Sequence, residues 1–141
     1  MISGMLYNSL DPSLASARYK ARAFAHTYNT WFPPPTTDPA QGFDTLSTTR
    51  FKLLQGIIGH LGDSNIFIEP PFNIDYGCNI SLGERFYANF NLTILDCSLV
   101  TIGKRCMFGP NVSIFAATHE VEVKSRRENV EYGRPVVVGG M

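Results

Sequence analysis

The chain has 141 residues, room for one domain with a real core rather than two full ones. Its 12 basic and 12 acidic side chains cancel, so no net field draws nucleic acid or an anionic membrane surface. The opening MISGMLYNSLDPSLASARYK has no apolar core behind a basic head, and no eighteen apolar residues run together, which predicts a soluble, cytoplasmic protein.

Asp11 before Pro12 offers an N-cap followed by proline at the first helical position, so the spacing predicts a helix from Asp11 to Trp31. Leu14, Tyr19, Ala21, Phe24, Ala25 and Tyr28 form its incomplete apolar face. PPPTTDPAQG then stops the helix and reads as an extended linker. Leu46, Phe51, Leu53, Leu54, Ile57, Ile58 and Leu61 suggest a second helix that ends at a glycine near Gly62. His26 and His60 fall on these helices as surface residues, and residues 1–62 form an N-terminal helical segment ahead of residues 63–141.

Beyond Asn65 the period changes. Ile68, Ile74, Ile80, Phe86, Leu92 and Ser98 recur every six residues, and Tyr76, Leu82, Ala88 and Ile94 make a second column. The count slips by two after Ile94, then resumes at Ile102, Phe108 and Ile114, with Cys106, Val112 and Thr118 as the companion column. A six-residue unit can be a short strand plus a bend, three units closing one triangular coil whose neighbours stack along an axis. Glycines in the unit supply the bends. Apolar residues at helical spacing are missing, and an antiparallel sandwich would not sustain the sixes, so the pattern predicts a mainly β protein with a parallel β-helix behind two N-terminal α-helices.

Cys78, Cys97 and Cys106 are odd in number and contain no C-x-x-C pair, which argues for reduced thiols and against a disulfide framework or a zinc site. The N-x-[ST] triplets at Asn79, Asn91 and Asn111 fall in the repeat, where they read as turn asparagines rather than glycosylation sites. The run KSRRE reads as a solvated face.

The stretches EPPFNIDYGCNISLG, FYANFNLTILD and THEV, together with GMLYNSLDPSL ahead of an Arg-rich helix, resemble the maltose and galactoside O-acetyltransferases of the hexapeptide-repeat family. That family also includes the nodulation acetyltransferases. The resemblance implies a left-handed β-helix, a homotrimer with active sites in the clefts between subunits, and acetyl transfer from acetyl-CoA to a sugar hydroxyl without a metal. His119, in the ATH context, matches the family's catalytic histidine; a base with an unperturbed pKa near ~6.5 suits removal of a hydroxyl proton. Asn89 matches a position that contacts substrate and helps hold the reacting centre. Asp75, Asp96, Tyr87 and Asp11 match acceptor-site positions, although Asp11 also reads as a helix N-cap and Tyr87 as a core aromatic. Some galactoside enzymes carry a second acid after the one matched by Asp96; Cys97 stands there, which leans the expected acceptor toward the maltose or glucose type.

Members of the family continue past GRPVVVG with further coils that hold the pantetheine arm and the CoA phosphates. The resemblance implies that this chain is truncated before them, so it assigns no cofactor-binding residue. Two functional expectations result: an acetyl-CoA-dependent sugar O-acetyltransferase, or an inactive fragment or pseudoenzyme with a structural or sugar-binding role. A zinc-dependent CO₂-hydrating hexapeptide protein would need several histidines near an interface, and His26 and His60 sit elsewhere.

Overall fold

The computed structural model describes residues 1–128 and 130–140, without the side chain of Ser125. A short strand β1 (Tyr7–Asn8) precedes helix α1 (Pro12–Thr30), capped by Asp11 at its start and by Trp31 at its end. Ala21, Ala25 and Tyr28 are its buried face, whereas Tyr19 is 76% exposed and does not join it. Helix α2 (Pro39–Gln55) begins earlier than the sequence suggested, because Asp38 accepts from the Ala40 and Gln41 amides and Pro39 takes the first helical position. It also ends earlier. Gly56 caps it, and His60–Leu61 already form a strand, β2, so His60 lies on the first coil and not on a helix.

The rest is a left-handed parallel β-helix of three faces. One face stacks β4 (Phe72–Ile74), β7 (Leu92–Leu95) and β10 (Ser113–Phe115). The next stacks β2, β5 (Ile80–Leu82), β8 (Val100–Ile102) and β13 (Val136–Val138), and the third β3 (Phe67–Ile68), β6 (Tyr87–Ala88) and β9 (Met107–Phe108). Ile94 is fully buried between Ile74 above and Ile114 below; each such aliphatic contributes roughly 2 kcal/mol of burial. Tyr28, Leu54 and Ile58 share this core, so the helices close the top of the same apolar column.

Twenty residues, not three sixes, make one coil: Phe72 pairs with Leu92, Ile80 with Val100, Tyr87 with Met107. The two extra residues always enter at one corner, where the step from Ile74 to Leu82 and from Ile94 to Ile102 is eight positions. The sequence shows the second slip and hides the first, because Ile74, Tyr76, Ile80 and Leu82 are all buried and let two columns of six run on in phase.

Glycine supplies one bend as expected, Gly77 with φ 84° at the corner after β4. Other left-handed backbone angles fall on larger residues, at Arg85 and Arg105 (φ 56° and 57°) and at Asn91 and Asn111 (φ 65° and 63°), twenty residues apart in each pair. Asparagine tolerates that region, and Asn91 donates to Asn111 at 3.0 Å, which accounts for two of the N-x-[ST] triplets as turn residues. Gly83 and Gly103 serve close approach instead: a Cβ on Gly83 would meet the Gly103 carbonyl carbon at 2.5 Å, and one on Gly103 the Gly140 nitrogen at 2.4 Å.

At the third level the expanded corner opens. Thr101 pairs with Val137, thirty-six positions on, where Ser81 pairs with Thr101 twenty positions on. The additional residues leave the coil through β11 (Ala117–Thr118), cross the short helix α3 (Val123–Arg127) and return through β12 (Val130–Gly133). β11 and β12 pair antiparallel, and β1 adds to the far edge of β12 with Tyr7 opposite Glu131. Lys124, Arg126, Arg127 and Glu128 on this excursion are exposed.

Candidate functional site

The same corner of three successive coils carries the acidic and basic candidates. Asp75 follows β4, Asp96 follows β7, and the excursion with His119 follows β10. Asp75 is only 14% exposed and is held by Arg22, whose Nη2 donates to Oδ1 at 2.9 Å while its Nη1 donates to the Ile74 carbonyl. The Cys97 thiol lies 3.5 Å from Asp75 Oδ2. Burial pushes that thiol's pKa up to about 11, with Asp75 and Glu131 adding repulsion and the Tyr7 hydroxyl opposing, so it stays protonated.

Asp75 faces a polar recess of about 290 Å³, shared with Ser9, Arg18, Tyr76, Cys97 and Glu131. Arg18 reaches over it from α1, donating to the Tyr76 hydroxyl at 2.7 Å and to the Ser9 carbonyl at 2.6 Å. Two carboxylates and fixed hydroxyl and guanidinium groups can accept from and donate to a polyhydroxylated ligand.

Asp96 is placed beneath this recess and not in it. The residue is 0% exposed, and its carboxylate accepts from the backbone amides of Tyr76 (2.8 Å), Gly77 (2.7 Å) and Asn79 (3.3 Å). Burial drives its pKa up and these amides oppose the rise. Where the resemblance leads to an expected contact with a sugar, this carboxylate instead holds the turn at residues 76–79 and does not face the recess. Asp11 likewise stays local, accepting from the Ser13 amide at 2.8 Å and from the Ser13 hydroxyl, and does not line the recess.

His119 comes directly after β11 and is exposed. Thr118 before it pairs with Tyr132, and the next residue of β12, Glu131, pairs with Tyr7. Tyr87 and Asn89 sit elsewhere on the same chain, Tyr87 in β6 and Asn89 at the corner after it. Asn89 Oδ1 accepts from the Phe90 amide at 2.7 Å, which fixes the side chain and leaves Nδ2 without a partner among the described residues. Tyr87 stacks on Phe67 with centroids 6.4 Å apart and rings 7° from parallel.

Sequence reasoning missed Tyr7, Arg18, Arg22 and Glu131. Tyr7 belongs to a two-residue strand, too short for any alternation to show, and the arginines are legible only as a polar side of α1. Glu131 depends on the return register of the excursion, which no local pattern encodes.

Residues 1–62 match the maltose acetyltransferase hexapeptide capping motif. The chain is 35% identical over 139 residues to nodulation protein L of Rhizobium meliloti, covering 99% of this chain and 69% of that protein. A maltose O-acetyltransferase from Clostridium difficile superposes with a TM-score of 0.80 at 30% identity over 99% of this chain and 71% of that one. A galactoside acetyltransferase in complex with coenzyme A superposes with a TM-score of 0.81 at 28% identity, over 97% and 68%. Against other curated relatives the chain spans just under two thirds of their length, 66%, 64% and 65% in three cases. Sequence, motif and three-sided coil agree: the chain belongs to the hexapeptide-repeat maltose and galactoside O-acetyltransferase family.

Proposed function

We propose that this chain is an O-acetyltransferase that moves acetyl from acetyl-CoA to a hydroxyl of a maltose- or glucose-type sugar. The observation that carries the reading is the shared corner, where a polar recess with Asp75 lies on the same edge as the excursion that bears His119. The donor class is supported by the coenzyme A complex of the structural relative.

In this mechanism Asp75 orients the acceptor by taking hydroxyl hydrogen bonds. The imidazole of His119 removes the proton from the reacting hydroxyl as its oxygen bonds to the thioester carbonyl carbon. Negative charge moves to the carbonyl oxygen, where an amide donor such as Asn89 Nδ2 is worth a few kcal/mol, about 10²-fold in rate. Collapse breaks the carbon–sulfur bond, and the imidazolium returns its proton to the departing CoA thiolate.

Asn89 and the Asp75 corner lie on different edges of one prism, so the site is completed by a second copy, in a homotrimer. Phe90, Leu99, Met107, Phe115 and Val137 support contact between copies, since all are large apolar residues more than two fifths exposed on the outer faces.

The test is acetyl transfer to a panel of maltose, glucose and galactosides by this chain and by His119→Ala. A loss of about 10²–10⁴-fold is expected for the variant. Co-assembling His119→Ala with Asn89→Ala chains should then restore roughly a quarter of the sites, because a shared site can draw one intact residue from each chain. A folded chain that transfers no acetyl defeats the enzyme reading and leaves the structural or sugar-binding one; no recovery on mixing defeats the shared site.

A further inference from the structure

We infer that Arg22 is a specificity-determining residue of the acceptor site: through its ion pair with Asp75 it cancels the charge of the recess and so selects an uncharged sugar over an amino sugar. The inference rests on the reading of that recess as the sugar site. Arg18 and Arg22 stand one helical turn apart on α1, and both reach the corner at residues 74–76. Arg22 divides its guanidinium between two neighbouring acceptors, Asp75 Oδ1 at 2.9 Å and the Ile74 carbonyl. A planar fork held at both prongs fixes where its positive charge lies.

Asp75 and Glu131 bring two negative charges to the lining of the recess, Arg18 brings one positive, and Cys97 is a neutral thiol. The lining alone is therefore acidic by one charge. Arg22 stands outside the lining but is bonded to Asp75, and it brings the total to zero. Asp96 lies beneath, its carboxylate met by three backbone amides. Glu131 takes the Tyr7 hydroxyl and has no basic partner among the described residues, so Arg22 is the difference between a neutral cavity and an acidic one.

Folding asks little of this pair. The Arg22 side chain is 57% exposed, and ion pairs open to water contribute little to stability. Asp75 keeps lone pairs for hydroxyl donors, because Arg22 takes one oxygen and the thiol near the other is a weak donor. A sugar hydroxyl can donate to a carboxylate paired in this way. An ammonium group instead meets the guanidinium as a like charge and finds the carboxylate already neutralised.

The test compares O-acetyl transfer to methyl glucoside and to its 2-amino-2-deoxy counterpart, at about pH 6 so that the amine is charged. Protonation of the base at that pH lowers both rates alike and cancels in their ratio. Arg22→Gln removes the charge and keeps a donor. The ratio of kcat/KM for the amino sugar over the neutral one should rise by roughly three- to tenfold, with the thermal midpoint close to wild type. Arg22→Lys keeps the charge and loses the fork; it should hold the wild-type ratio while KM for both acceptors rises together.

An unchanged ratio in Arg22→Gln overturns the inference and leaves the sugar-transfer reading intact, even if transfer to both acceptors falls. An equal rise in the lysine variant overturns it too, since geometry and not charge would then be the cause, and so does a wild type that prefers the amino sugar. If the wild type acetylates neither sugar, the sugar-transfer reading fails on its own, and binding of the two sugars followed by NMR titration decides the role of Arg22. Stronger relative binding of the amino sugar in Arg22→Gln sustains the inference; an unchanged relative affinity, or no binding of either sugar, overturns it.

Discussion

The turn at residues 96–99 and the excursion at residues 116–135 occupy the same corner in successive coils, and they are held by opposite means. In the turn, Asp96, Cys97 and Ser98 are all buried, and one carboxylate collects three amides from the coil above. In the excursion, Val121 is 93% and Val123 62% exposed, and pairing is confined to strands of two to four residues. Among the described residues its two ends are joined to each other by the Arg134 amide on the Ala116 carbonyl, and the chain rejoins the wall where the Val136 amide donates to the Leu99 carbonyl. Stability therefore resides where the repeat is kept, and reach is obtained where it is interrupted. Loops carried on rigid walls are where binding and proton transfer tend to be placed.

The largest expected effect comes from breaking the tight turn. Asp96→Ala leaves the Tyr76 and Gly77 amides buried without an acceptor, at about 1–3 kcal/mol each, so the chain should lose on the order of 3 kcal/mol or more in chemical denaturation. Asp96→Asn keeps the volume and one acceptor, and should recover part of that loss. A cost below about 1 kcal/mol for the alanine variant would mean that the turn is held by its packing and not by the carboxylate.

At the excursion, the corresponding weak point is its seat. A Cβ on Gly133 would meet the Cys97 carbonyl oxygen at 2.8 Å and the Ser98 Cβ at 2.8 Å, both rigid neighbours. Gly133→Ala should destabilise by about 1–3 kcal/mol, as overpacking does, and, on the proposed function, lower acetyl transfer by more than that loss of folded protein explains. Equal effects on folding and transfer would erase the distinction between wall and excursion.

These two sites also show what the sequence makes legible. The inward columns through Ile74, Ile94 and Ile114 are readable because apolar residues recur with the coil, and α1 is readable because Asp11 and Pro12 announce it. Motif context put forward His119, Asn89 and Asp75 as the candidates on which the proposed function rests. The twenty-residue register was obscured by neighbouring buried residues at 74, 76, 80 and 82, each of which satisfies a count of six. Asp96 looks the same in sequence whether its carboxylate faces a ligand or three amides; only the stacking of residues 76–79 over it decides. Tyr7 and Glu131 meet through strands too short to leave a pattern.

Alkaline pH probes the junction of the two regions, where Cys97 lies under the excursion. Its thiol titrates near 9 ordinarily and at about 11 in the fold, so the unfolded chain ionises first as pH rises. The native state is thus unaffected below about pH 9 and loses stability between 9 and 11, by about 2–3 kcal/mol over the whole interval. Cys97→Ser cannot ionise and should flatten that slope. The interval from pH 9 to 10 is the cleanest, because ordinary tyrosines titrate only from about 10 upward. Cys78 is shifted up by burial as well, so the difference between the wild-type and Cys97→Ser curves, and not either slope alone, reads the buried thiol. Identical slopes would place Cys97 in contact with solvent.

The smallest effect belongs to a contact that joins coils across the surface. Lys104 Nζ lies 2.9 Å from Glu84 Oε1, twenty residues away in sequence, and looks like a clamp between levels. Both side chains are well exposed, 62% and 47%, so water screens the pair and ordering two long side chains offsets most of the attraction. Lys104→Ala should change the free energy of unfolding by no more than about 0.5 kcal/mol, and added salt should leave wild type and variant equally stable. The stacking at this corner comes instead from Gly83 and Gly103, whose backbones touch where a Cβ could not fit, and from Leu82 on Ile102 inside. A loss above about 1 kcal/mol for Lys104→Ala would transfer part of the wall's cohesion from its buried columns to its surface charges.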